Sequence, residues 1–280
     1  MPAHPWLPNA MVAPTPVSAF LHAVAVVKAG VFCVLKVVIY IFGIDFLKET
    51  GAATPYMWIA AGSILLASAI AMHKDNLKAR LAYSTVSQLA YVTLGAMLAT
   101  SMGVMGGAMQ IAAHALGKMT LFMCAGAIYV AAHKTLVSEM RGLGRTMPIT
   151  FGAFFLGAMS IVGLPPLAGS WPKFFLMIGA ADTGQLLIIG VLILSSILNV
   201  IYLLSIPVQA FYMAPETDAH GRARGLNEGG EKRTGIDWGH LHEAPLLCVL
   251  PPVVTAIGAV LLFFFADPLY AYLSPLMETR

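Results

Sequence analysis

Charge is scarce in this chain. Only 10% of its 280 residues are Asp, Glu, Lys or Arg, against about 25% in an ordinary soluble domain. A soluble fold with so few charges would leave too much apolar surface in water. Cysteine is scarcer still. Cys33, Cys124 and Cys248 lie far apart in apolar runs with no CxxC pair, which argues against a disulfide framework, a zinc site or an iron–sulfur motif. The net charge of +3 is too small for a nucleic-acid groove. The opening residues 1–11 lack the basic and apolar regions of a signal peptide.

Apolar sequence is what remains. Hydrophobic residues make up 59% of the chain, and the mean hydropathy is +0.81. Seven long apolar stretches fall near residues 17–42, 55–73, 77–99, 104–132, 148–180, 185–212 and 244–273. Each is long enough to cross about 30 Å of hydrocarbon at a rise of about 1.5 Å per residue. The expected fold is an all-α polytopic membrane protein with about seven transmembrane helices. The fifth stretch contains Gly163-Leu-Pro-Pro-Leu-Ala-Gly169. Its prolines remove backbone donors and its glycines loosen the chain, so a broken helix is expected there. An ordinary loop between two half-spans is the alternative.

Loop charges set an expected orientation. Counting alternate loops, one side carries Lys74, Lys78, Arg80, Lys134, Arg141, Arg145, Arg222, Arg224, Lys232 and Arg233, and the other only Lys48 and Arg280. An excess of bases marks the cytoplasmic side. The N-terminus is therefore expected in the cytoplasm and the C-terminus outside. Residues 214–243, rich in glycine and in charges of both signs, read as a flexible cytoplasmic loop. A metal site built from its histidines, His220, His240 and His242, is the less favoured reading, and no metal or cofactor site is assigned.

Four bases, Lys28, Lys36, Lys118 and Lys173, fall inside or at the break of the apolar stretches, together with His22 and His114. All thirteen acids lie in loops, at stretch ends or in the termini. An intramembrane lysine is expensive to bury and commonly marks a pathway. Desolvation disfavours its charged form, so a buried lysine exchanges its proton more readily than a surface one. His114 and Lys118 are one helical turn apart and share a face. On an α-helix, His22 and Lys28 would point in different directions. Ser84, Ser87, Gln88 and Tyr91 form a polar stripe able to hold waters between titrating groups. Plainer roles stand beside these: snorkelling for Lys36, helix packing for His22, and helix–helix hydrogen bonding for the stripe.

Five blocks, in this order, carry a family resemblance. They are Trp6-Leu-Pro-Asn-Ala-Met11 with Ala13-Pro-Thr-Pro-Val-Ser-Ala-Phe-Leu-His22; Val27-Lys-Ala-Gly-Val31; Asn76-Leu-Lys-Ala-Arg-Leu-Ala-Tyr-Ser-Thr-Val-Ser-Gln88; His114-Ala-Leu-Gly-Lys118; and Gly163-Leu-Pro-Pro-Leu-Ala-Gly-Ser-Trp-Pro-Lys173. Together they resemble the antiporter-like subunits of respiratory complex I and of Mrp-type multisubunit sodium/proton antiporters, with the last block most similar to the cation/proton antiporter branch. The resemblance implies a fold of about fourteen helices with two inverted repeats, each holding a broken helix, of which this chain corresponds to the second half. Lys118 and His114 match the central lysine and its histidine partner. Lys28 and His22 match axis residues that follow the first broken helix. Lys173 matches the lysine at the second broken helix, near the outward exit, and Lys78 a base at the cytoplasmic mouth.

The implied organisation is a helix tail and turn over residues 1–16, transmembrane helices over 17–213 including the second repeat, a loop over 214–243, and a last helix and outer tail over 244–280. The family's first half, with its membrane glutamate, has no counterpart in these blocks. Another chain or segment is expected to supply it, unless this is a truncated product. The expected function is proton conduction within a multisubunit cation/proton antiporter, with other membrane subunits as partners. The alternatives are a proton-pumping subunit of a complex I-like oxidoreductase, its redox cofactors held elsewhere, and a non-transporting remnant or scaffold.

Overall fold

The structure, a computed structural model, describes residues 6–214 and 242–275, the side chains of residues 21–23 excepted. A short helix, α1 (Trp6–Ala10), and a proline-rich turn lead into one long helical run. It comprises α2 (Thr15–Val17), a π-helical stretch Ser18–Ala25, α3 (Val26–Lys36) and a second π stretch Val37–Phe42. Gly43 at φ +79° turns the run by 78° into α4 (Ile44–Thr50), a backbone conformation that glycine adopts without a Cβ clash. There follow α5 (Thr54–His73), α6 (Leu77–Met97), α7 (Ser101–Ala132), α8 (Pro148–Val162), α9 (Ser170–Asp182), α10 (Leu186–Asn199), a third π stretch Val200–Leu204, α11 (Ser205–Tyr212), α12 (Leu246–Phe264) and α13 (Ala266–Leu273).

Local chemistry sets many of these ends. The Asn76 side chain accepts from Ala79 N at 3.1 Å and starts α6, and Thr100 accepts from Gly103 N at 3.1 Å and starts α7. Pro148 occupies the first turn of α8, where its missing N–H leaves no helix bond unmade. Gly163, at φ +85°, ends α8, and the break continues through Gly169 to α9. The fifth stretch is therefore interrupted, as two helices separated by residues 163–169, an arrangement that a broken helix and a loop between two half-spans both fit.

All seven apolar stretches are helical, yet by length and apolarity only four described helices qualify alone as membrane spans: Thr54–His73, Ser101–Ala132, Leu186–Tyr212 and Leu246–Phe264, with Val26–Phe42 plus Ile44–Thr50 as a bent fifth. The chain is an integral, multi-pass membrane protein. The 21-residue α6 fails on apolarity for a physical reason: it carries Lys78, Arg80 and the polar stripe, and most of it is buried among other helices.

The central helix is α7, packed against α6, α8, α9 and α12. Small residues let it approach its neighbours closely. A methyl added to Gly95 would sit 2.5 Å from the Gly103 carbonyl, and one added to Gly179 would sit 2.6 Å from Gly103 N. Backbones of α6, α7 and α9 thus meet directly. At one end of the bundle the connections are stitched together. Leu77 N donates to Thr135 O at 2.9 Å, Val137 N to Asp75 O at 2.9 Å, and His242 N to Thr146 O at 3.0 Å. Arg145 Nε donates to Phe211 O at 2.9 Å, and Lys78 Nζ to Ala13 O at 3.2 Å. These segments are the ones whose bases the loop count assigned to a single side.

Candidate functional site: a buried polar axis

Helix α7 presents Gln110, His114 and Lys118 at successive turns of one face. Lys118 is fully buried, His114 is 2% exposed and Gln110 is 3% exposed. Lys118 Nζ donates to the Leu81 carbonyl of α6 at 3.0 Å, which also accepts from Thr85 Oγ1 at 2.9 Å. Neither ring nitrogen of His114 has a protein partner. Lys28, buried on α3, lies within Coulombic reach of both His114 and Lys118. The structure therefore brings three of the expected relay bases into one buried cluster.

The facing helix α6 supplies the second wall. Ser84, Ser87, Gln88 and Tyr91 are all buried. Gln88 Oε1 accepts from Gln110 Nε2 at 2.8 Å. Ser87 Oγ donates to Ile64 O at 3.1 Å and lies 2.9 Å from Ser68 Oγ, itself 3.4 Å from Ser195 Oγ. Ser84 Oγ is bonded at 3.0 Å to the Tyr202 hydroxyl, which also donates to Asn199 Oδ1. Part of the stripe thus does join helices, as the plainer reading held, but Gln88 Nε2 is left without a partner. Leaving a buried polar group without a partner costs about 1–3 kcal/mol, so such groups along one line call for an explanation beyond packing.

Lys173 closes the axis at the helix break. It is 6% exposed, and its Nζ donates to Val162 O at 2.6 Å and to Ser196 Oγ at 3.1 Å. Val162 is the last residue of α8, so its carbonyl has no continuing helix to bond, and a cation there also meets the negative end of the helix dipole. The same ammonium lies 5.2 Å from the Tyr91 ring centroid. The break in the apolar stretch therefore creates the seat for this lysine.

Two other bases of the apolar stretches and their ends stand apart, and for Lys36 this agrees with the snorkelling role. Lys78 is half-buried at the stitched end, beside a cavity of about 260 Å³ lined also by Asn76, Tyr129 and Lys134. Lys36 is exposed on the outside of the bundle, 5.3 Å from the Phe32 ring centroid and 5.8 Å from that of Tyr40, and is no part of the axis. The His22 side chain lies outside the described residues. Its backbone falls in a π-helical stretch, so an α-helical count of its direction relative to Lys28 does not apply. His220 and His240 also lie outside the described residues, and among those described no cluster of metal-ligating groups occurs.

Residues 1–199 match the family described as NADH:quinone oxidoreductase/Mrp antiporter, transmembrane. The chain belongs to this family. A curated relative, NADH-quinone oxidoreductase subunit N of Desulforudis audaxviator, is 30% identical over 95% of this chain and 52% of its own length. Subunit L of the same enzyme class from Rickettsia bellii is 32% identical over 96% of this chain and 38% of its own length. Among solved structures, a chain of the Mrp complex from Dietzia sp. superposes with a TM-score of 0.82 at 25% identity, over 99% of this chain and 55% of that one. An archaeal membrane-bound sulfane sulfur reductase shares the fold, with a TM-score of 0.77 at 21% identity. The chain thus spans about half the length, or less, of these curated relatives.

Several axis residues escaped the sequence reading. Gln110 sits one turn before His114 and could have been found by extending that face backwards. Ser195, Asn199 and Tyr202 repeat at helical spacing in an otherwise apolar segment, a polar line of the same kind as the α6 stripe. Ser68 gave no such signal, since no polar residue lies one turn from it in α5.

Proposed function

We propose that this chain is a proton-conducting part of a multisubunit monovalent cation/proton antiporter. The observation that carries the reading is Lys118, fully buried on the central helix, one turn from a histidine whose two ring nitrogens have no protein partner. A proton enters at the mouth near Lys78, passes to Lys118 and His114, continues through waters held by Ser84, Ser87, Gln88 and Tyr91, and leaves by Lys173. Lys28 and His22 couple this path to a segment or chain that completes the fold. The work is proton holding and release by amines and imidazole, with no covalent chemistry. No cofactor is required of these residues.

The stitched end faces the cytoplasm in this reading, with the N-terminus on that side and the C-terminus outside a bacterial inner membrane. Support comes from the loop bases Lys74, Lys134, Arg141 and Arg145 gathered at that end. Residues 17–213 hold the second inverted repeat, and residues 214–243 form a cytoplasmic loop.

The names of the curated relatives favour a second reading, a pumping subunit of a complex I-like enzyme. Vesicles containing the whole complex separate the two. The antiporter exchanges sodium or potassium for protons on an imposed gradient alone, whereas the oxidoreductase moves protons only while NADH reduces a quinone. A complex that does neither favours the scaffold reading and overturns both.

A further inference from the structure

Between its two lysines the axis holds a pair of buried amides. Along α6, Leu81, which holds Lys118, and Tyr91, which lies beneath Lys173, flank Gln88. Gln88 is seven residues, or about 10 Å, beyond Leu81, at about 1.5 Å per residue. On the antiparallel α7, Gln110 is eight residues, or about 12 Å, from Lys118 in the same direction. The two amides meet at this level, Gln110 Nε2 donating to Gln88 Oε1 at 2.8 Å. Both are at least nine-tenths buried. Each keeps its other polar atom, Gln88 Nε2 and Gln110 Oε1, without a protein partner.

A carboxamide donates and accepts hydrogen bonds but does not take up and release a proton as a lysine, histidine or water does. A direct amide–amide bond across the axis is therefore not itself a proton relay. One turn along α7 the His114 nitrogens also lack partners, and a neutral imidazole always carries one N–H. Gln110 Oε1 thus has a second acceptable position, toward His114.

We propose that Gln88 and Gln110 form a gate on the axis, closed when they bond each other and open when Gln110 turns to accept from His114. Opening lets waters join the Lys118–His114 pair to Tyr91 and Lys173. Closure prevents free proton leak between exchange events. This gate rests on the proton path proposed above.

The test uses vesicles containing the whole complex, with an imposed pH gradient and no exchangeable cation. Gln88→Ala removes the latch, and proton leak should rise about tenfold, the population shift equivalent to ~1.4 kcal/mol. Gln88→Asn keeps an amide but shortens its reach by one methylene, and should also leak, so the test survives if the alanine variant fails to assemble. Gln110→Leu also removes the latch and leaves no amide to accept from His114, so leak should rise as in the Gln88 variants and coupled exchange should fall while the complex still co-purifies. Wild-type leak in the assembled Gln88 variants, or wild-type exchange in Gln110→Leu, overturns the gate. Lys118→Met distinguishes the two claims. If it stops proton flow while the Gln88 variants stay tight, the gate alone is wrong; if it too leaves flow intact, the path is wrong.

Discussion

Replacing Gly169 by alanine tests how the helix break is built. Gly169 has an ordinary right-handed backbone, φ −71° and ψ −9°, so an alanine there is not conformationally strained. The obstacle is space. A methyl on Gly169 would collide with the Ser160 carbonyl oxygen of α8 and sit 2.9 Å from its carbon. Neither atom is the end of a flexible side chain, so α8 and α9 must separate. Overpacking of this kind costs about 1–3 kcal/mol, and a backbone-on-backbone clash belongs at the upper end. A control lies in α8 itself: a methyl on Gly152 meets nothing within 4 Å. Gly152→Ala should be neutral or stabilising by up to about 1 kcal/mol, because alanine is the better helix former. Thermal unfolding of the purified complex should separate the two variants by roughly 5–10 °C, at about 2–4 °C per kcal/mol. Lys173, four residues beyond Gly169, should shift with α9, so exchange should fall as well. A Gly169→Ala complex that melts with or above Gly152→Ala would refute this account of the break.

Three further outcomes are expected. The Glu243 carboxylate accepts from Ile149 N at 2.7 Å and from Thr150 Oγ1 at 2.6 Å, capping α8, so Glu243→Ala should cost about 1–2 kcal/mol in thermal unfolding, with Glu243→Gln losing less. Arg80 donates to Lys74 O at 2.7 Å and to Tyr202 O at 3.2 Å, so Arg80→Met should free both carbonyls. The loss of about 2 kcal/mol should appear as faster amide hydrogen exchange across residues 200–204. Lys173→Met should leave assembly intact while lowering exchange about 100-fold, the usual contribution of a placed proton-transfer group; assembly with undiminished exchange would remove Lys173 from the path.

Much of the bundle was legible because a membrane imposes simple rules. Long apolar stretches must be helices, and Gly163, Pro165, Pro166 and Gly169 mark the break in the fifth of them. Lys118 and His114 were legible because a buried base four residues from another is conspicuous in an apolar run. Other features were hidden for physical reasons. The π-helical stretches at Ser18–Ala25, Val37–Phe42 and Val200–Leu204 leave no mark in the apolar periodicity, which does not distinguish π from α turns. The Gln88–Gln110 contact joins two helices, and only their crossing reveals that two unremarkable amides meet on the axis.

The central claim, that a proton passes through Lys118, is tested most directly by Lys118→Met in vesicles containing the whole complex. Methionine nearly matches the side chain's length and removes its proton. Because Leu81 O keeps the Thr85 hydroxyl, only one hydrogen bond is lost, and stability should change by about 1 kcal/mol or less. The account predicts an assembled complex with wild-type melting behaviour and proton-driven exchange reduced about 100-fold or more. An assembled Lys118→Met complex that exchanges at the wild-type rate would contradict it.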